Sequence, residues 1–196
     1  NINQALIGPV FMNVSVIVLF VMPMITMRSY AEEKRSGTME LLLTSPLTDL
    51  QIILGKFFGA LALYALMLAV TLIHIAVLFL SGSPEWKPVG TGYLGLLLMG
   101  SCFISAGLFI SSLTKNQIVA GMISFAVFLM LWVINWLGQS MGPTGQAIVT
   151  HLSITDHLDD FARGIIDTKH LVYYLSFIVF GLFLTAKSVD SERWRG

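Results

Sequence analysis

Cysteine is almost absent: Cys102 stands alone inside an apolar run, which excludes a disulfide framework and a metal–thiolate cluster. Charge is scarce too. Only 11% of the 196 residues are charged, against about 25% in a soluble domain. Lys+Arg and Asp+Glu balance at 11 each, so no net field draws the chain to nucleic acid, and no nucleic-acid partner is expected. A phosphate loop of the form G-x-x-x-x-G-K-[ST] is missing. The single Gly-Lys pair, Gly55-Lys56, runs into Phe57 and lacks the upstream glycine, so the chain is not expected to hydrolyse ATP. No basic region precedes the first apolar stretch, which is of full spanning length and does not read as a cleavable leader. Paired acids, bases or metal ligands at a shared depth are lacking as well, so no catalytic residue and no bound cofactor are expected.

What the chain has is hydrophobic length: 56% of its residues are hydrophobic. A hydrocarbon core about 30 Å thick takes about 20 apolar residues in a helix. Five stretches meet that requirement, at about 5–27, 56–80, 93–113, 118–137 and 171–189. They do not alternate with period two, so they read as helices and not strands. The expected fold is an all-α integral membrane protein, a single polytopic helix bundle over residues 1–196.

Placing successive loops on alternate sides gathers Arg28, Lys34, Arg35, Lys56, Lys115, Lys187, Arg193 and Arg195 together, against Lys87, Arg163 and Lys169. Positive charge stays inside, so residues 28–55 and the C-terminus are expected in the cytoplasm. Asn1 would then face outward without a leader or an initiating Met. One further span upstream is expected, giving six in the complete protein with both termini cytoplasmic.

The 28–55 loop has internal structure. Glu32, Glu33, Lys34 and Arg35 form a mixed-charge helix end interrupted by Gly37. Thr38–Ser45 follows as a short apolar helix, with Glu40 among Met39, Leu41, Leu42 and Leu43. Pro46 stops it, because the residue before a proline is pushed out of the α region. Thr48 and Gln51 are spaced as a capping box for the next span. On pattern alone this helix could simply tuck its leucines into the headgroup zone.

The string EEKRSGTMELLLTSPLT, Glu32 to Thr48, resembles the signature loop of ABC-transporter permeases of the type-2 exporter family, the likeness being carried by Glu33, Gly37, Thr38, Glu40, Leu42, Leu43, Thr44 and Pro46. Within that family the string resembles the gliding-motility-type and nitrous-oxide-maturation-type permeases, and His157 to Thr185 resembles their last extracellular helix and final span. The resemblance implies a cytoplasmic coupling helix that docks on a separate ATPase through Glu32, Glu33, Arg35, Gly37, Thr38, Glu40, Leu42, Leu43, Thr44 and Pro46. It also implies two ATPase subunits holding ATP and Mg, a second permease copy (identical or not), surrounding lipid and room for an extracellular accessory protein. The implied location is the bacterial cytoplasmic (inner) membrane.

In the 138–170 segment, Leu158, Phe161, Ala162, Ile165 and Ile166 fall at helical spacing, with Thr155 or Asp156 as N-cap and Asp159, Asp160 and Arg163 opposite. Ile148, Val149 and Leu152 suggest a shorter helix upstream. The expectation is two helices lying on the outer surface; the family resemblance implies re-entrant ones capping the translocation route. His151, Asp156, His157, Asp159 and Asp160 read as a solvated helix face, and no metal site is expected. His74, Asn13, Ser15 and Asn135 are the polar residues inside spans, read as partners in interhelical hydrogen bonds. The competing reading is an ion-gradient-driven secondary transporter, which would need ionisable groups at mid-membrane. Only His74 is there, with no carboxylate in any span.

Overall fold

A computed structural model describes residues 2–81, 85–138, 149 and 152–193. Among them there are helices and no strands: α1 (Ile2–Thr26), α2 (Arg28–Ser36), α3 (Thr38–Leu43), α4 (Asp49–Ser81), α5 (Trp86–Ser112), α6 (Gln117–Gly138), α7 (Ile154–Ala162) and α8 (Thr168–Arg193). Five helical stretches are long and apolar enough to cross a membrane. The chain is an all-α polytopic membrane protein.

The helices outrun the apolar stretches that reveal them. Hydropathy registers where side chains meet lipid, whereas helix ends are set by caps and breakers. α5 begins at Trp86, ahead of the apolar run, because Pro88 sits in the first turn, where its missing N–H removes no helical bond. α4 begins at Asp49 behind the capping box. The Thr48 N–H donates to Gln51 Oε1 (3.0 Å), and the Gln51 N–H donates to Thr48 Oγ1 (3.3 Å).

α5 is the axis of the bundle, and α1, α2, α4, α6, α7 and α8 all pack against it. Its sequence explains this. In lipid, apolar side chains gain nothing by leaving their surroundings, so close backbone approach at small residues decides which helices associate. Gly92 takes the ring of Phe11, Gly95 takes Phe161 and Leu158, Gly100 takes Tyr64, and Gly107 takes Thr26. Ser101 and Ser105 of α5 are buried among these contacts, whereas Gly55 and Gly59 of α4 meet nothing within the chain.

Gly100 is the least forgiving of these positions. A Cβ there would lie 2.1 Å from Tyr64 Cε1. Tyr64 cannot swing away, because it is buried and its hydroxyl donates to the Leu96 carbonyl at 2.8 Å. Gly100→Ala is expected to destabilise the bundle by about 1–3 kcal/mol, the usual cost of overpacking. Thermal unfolding in detergent checks this, with Gly55→Ala, in open space, expected to be silent.

His74 of α4 does not find the interhelical partner that its sequence context suggests. Its imidazole is exposed on the outward face of α4 and makes no hydrogen bond among the described residues, where no helix packs over that stripe. Asn13 is exposed too. Ser15 does find a partner: its Oγ accepts from Trp132 Nε1 of α6 at 3.3 Å and donates to the Met12 carbonyl. The side chains of Asn135 and Leu43 lie outside the described residues, as do Ile148 and His151.

Candidate functional site

The residues of the 28–55 segment form an elbow at one end of the bundle, and its placement starts from a break in a helix. Between α1 and α2 the backbone stays helical at Met27, but the hydrogen-bond ladder is interrupted where Ser111 of α5 enters it. The Ser111 hydroxyl accepts from the Tyr30 N–H (3.0 Å) and the Ala31 N–H (3.1 Å), and donates to the Met27 carbonyl (3.0 Å). One hydroxyl thus takes the place of the Ala31–Met27 rung and satisfies the donors that the break exposes. A side chain inserted into the i→i−4 ladder is a known cause of helix breaks. Ser111 is fully buried, so no water could do this in its place.

α2 is then clamped from two sides. Lys34, whose side chain is only 4% exposed, pairs with Glu192 of α8 at 2.7 Å and also donates to the Ser112 carbonyl. Lys56 of α4 pairs with Glu33, donates to the Ser29 carbonyl at 2.6 Å, and lies over the Tyr30 ring. Glu33 therefore spends its charge inside the chain, holding α2 to α4.

Gly37 ends α2 and starts α3 with φ +75°, a left-handed conformation that a side chain would strain. α3 itself ends at Leu43, two residues short of the Ser45 expected from sequence. The last carbonyls are taken by hydroxyls: Thr44 Oγ1 donates to Glu40 O (2.9 Å), and Ser45 Oγ donates to Leu42 O (2.7 Å). Those bonds close the helix before Pro46 is reached.

The turn of α3 sorts its apolar residues. Met39 is buried and Leu42 packs partly against the core, while Leu41 is 71% exposed. The outward surface of the elbow carries Glu32, Arg35, Thr38, Glu40, Leu41, Thr44 and Pro46. Neither Arg35 nor Glu40 has an ion pair among the described residues. An exposed leucine ringed by uncommitted charges of both signs, on a backbone fixed from behind, is a surface suited to a protein partner. Leu41 is the residue that sequence reasoning passed over. Leu42 fits the family pattern, but only the helical phase shows that it faces inward.

The far end of the bundle holds α7. Its N-cap is Ser153, whose hydroxyl accepts from the Asp156 N–H, and not Thr155 or Asp156. Leu158 and Phe161 are buried against Gly95, and the Phe161 carbonyl accepts from Thr91 Oγ1 at 2.6 Å. Ile165, placed on this helix by periodicity, lies beyond its end. Gly164, at φ +85°, turns the chain, with Gly164 N–H to Phe161 O (3.1 Å) and Ile165 N–H to Asp160 O (2.9 Å). That double bond is a Schellman motif, and it leaves Ile165 and Ile166 exposed.

His157 also departs from the solvated face expected of it. It is buried, its ring lies over Tyr173, and its Nδ1 is 2.6 Å from Nδ1 of His170, whose Nε2 is 2.7 Å from Asp160 Oδ2. His170 thus bridges the His157 ring and the Asp160 carboxylate through its two ring nitrogens. Tyr174 adds a bond from its hydroxyl to the Ile154 carbonyl at 2.9 Å. α7 is thereby fastened to the start of α8.

His170→Leu removes both bonds at once, and with them the link between α7 and the start of α8. The expected cost is about 2–3 kcal/mol. Hydrogen exchange of the 154–162 amides checks it, with faster exchange there and unchanged protection in α5.

The sequence profile of the ABC-2 family transporter proteins matches residues 5–178. Among curated proteins, none matches the chain.

Proposed function

The chain belongs to the ABC-2 transporter family, and from that premise we propose that it is the permease of an ATP-driven exporter, coupled through the α2–α3 elbow to ATP-hydrolysing subunits on separate chains. The observation that carries this reading is the elbow itself: Leu41, Glu40 and Arg35 point away from a support that Ser111, Lys34 and Lys56 hold in place. In this reading ATP and Mg sit on two partner subunits. Their closure pushes α3, and α2 passes the displacement to α1, α4, α5 and α8, the helices to which it is tied. Two permease copies enclose the path between them.

In this reading the elbow end faces the cytoplasm of a bacterial inner membrane, with α7 outside, and the gathering of basic residues at the elbow end supports that orientation. The finer likeness to gliding-motility-type and nitrous-oxide-maturation-type permeases rests on residues 32–48 and 157–185 alone. An ion-gradient mechanism would centre on His74, and the outward position of that side chain leaves it no second group to exchange protons with among the described residues.

The test is gentle purification of the tagged full-length protein, expressed with its genomic neighbours. A stoichiometric companion carrying a phosphate-loop lysine supports the proposal. A chain that purifies alone from membranes without ATPase activity contradicts it.

A further inference from the structure

At the α7 end, a cavity of about 750 Å³ lies between α1 and α7, lined by Gly8, Pro9, Met12, Asn13, Asp159, Ala162 and Arg163. Its polar groups are one carboxamide, one carboxylate and one guanidinium, and each has bonding capacity that the chain does not use. Asp159 and Arg163 stand one helical turn apart, acid before base, in the arrangement that favours a direct ion pair. No such pair closes between them; both side chains are exposed. Partial burial nevertheless raises the Asp159 carboxyl from its ordinary value, with Arg163 opposing the shift and Asp160 reinforcing it.

Asp159 and Arg163 share this cavity with Asn13 of the first spanning stretch, and charged groups beside a spanning helix need water or a polar ligand, because lipid tails cannot satisfy them.

We propose that this cavity binds a zwitterionic headgroup carrying a primary ammonium and a phosphate. Asp159 receives the ammonium, Arg163 holds two phosphate oxygens through its planar fork, and Asn13 bonds the ester region. Pro9, Met12 and Ala162 supply the apolar wall along which the first methylenes lie. A purely anionic headgroup would face the Asp159 carboxylate, and a purely cationic one the Arg163 guanidinium. A sugar is disfavoured because no aromatic ring lines the cavity for it to stack on. As a statement of what the permease carries or senses, the proposal rests on the transport reading. As a statement about binding, it does not.

The experiment is native mass spectrometry of the full complex, delipidated and then titrated with phosphatidylethanolamine or phosphatidylglycerol. Wild-type protein is expected to retain phosphatidylethanolamine at least fivefold more strongly, and Asp159→Asn and Arg163→Gln each to abolish that preference. Unchanged thermal unfolding of both variants shows that the fold is intact. Soluble phosphoethanolamine that displaces the lipid identifies a free metabolite as a competent ligand; failure to displace it identifies the lipid itself. Equal retention of the two lipids, or a preference that survives both substitutions, overturns the site. No ATP hydrolysis enters the readout, so that outcome leaves the permease reading standing.

Discussion

Leu41→Asp is expected to strip the ATP-hydrolysing subunits from the protein while leaving its own fold unchanged. The side chain is 71% exposed, so the folded chain loses little by the change. An apolar anchor at the centre of a docking surface, replaced by a carboxylate, weakens association by about 3 kcal/mol or more, roughly a hundredfold in Kd. Glu40→Arg reverses a charge at the rim and is expected to act in the same direction more weakly. Leu42→Asp reports something else. Leu42 packs against the core, so a charge there costs stability first, and any loss of partner would follow from a disturbed elbow. Co-purification and thermal unfolding, measured side by side for the three variants, separate docking from folding. Loss of the partner with an unchanged unfolding midpoint is expected for Leu41→Asp alone among the two leucine variants.

Ser111→Ala carries the second large effect. The hydroxyl occupies two buried N–H groups and one carbonyl where α1 meets α2. Each buried group left without a partner costs about 1–3 kcal/mol. The chain has one way to avoid that loss: Ala31 N–H can close onto the Met27 carbonyl and restore a continuous helix. That repair would give up the contact through which α5 holds the start of α2. Either way the elbow is no longer held. The expected result is a fall in stability of about 2–4 kcal/mol together with loss of ATP-dependent transport. Full transport at an unchanged unfolding midpoint would show that the inserted hydroxyl is incidental. Lys34→Ala weakens the same support from another side. Its effect is expected to be smaller, because Glu192 is about one-third exposed and water screens the pair.

Sequence reasoning reached the membrane class and the helical elements because both follow from local composition. A run of about 20 apolar residues has few alternatives to a spanning helix. Gly37, Pro46 and the Thr48–Gln51 box announce the turns that bound α3. Side-chain direction was harder to read. α3 has only six residues, and its phase is set by where Met39 finds the core, so Leu41 and Leu42 could not be told apart.

Long-range partners left no trace at all. Ser111 is 80 residues from the backbone it splices, and nothing near it distinguishes it from Ser112. His157 and His170 meet only because Gly164 turns the chain back, and the apolar spacing through Ile165 and Ile166 hid that turn. The Gly and Ser positions of α5 are similar. They read as small-residue stripes, but which of them receive a partner depends on the bundle.

The central claim is that α3 touches an ATP-hydrolysing partner, and a thiol tests it directly. Cys102 is the one cysteine in this sequence and is buried, so Leu41→Cys adds an exposed thiol on α3. A short bifunctional reagent applied to native membranes is expected to join this residue to a subunit bearing a phosphate-loop lysine. Leu66→Cys, on the exposed face of α4, is expected to give no such product. A crosslink at position 41 only to lipid-facing protein, or none while transport persists, would contradict the account.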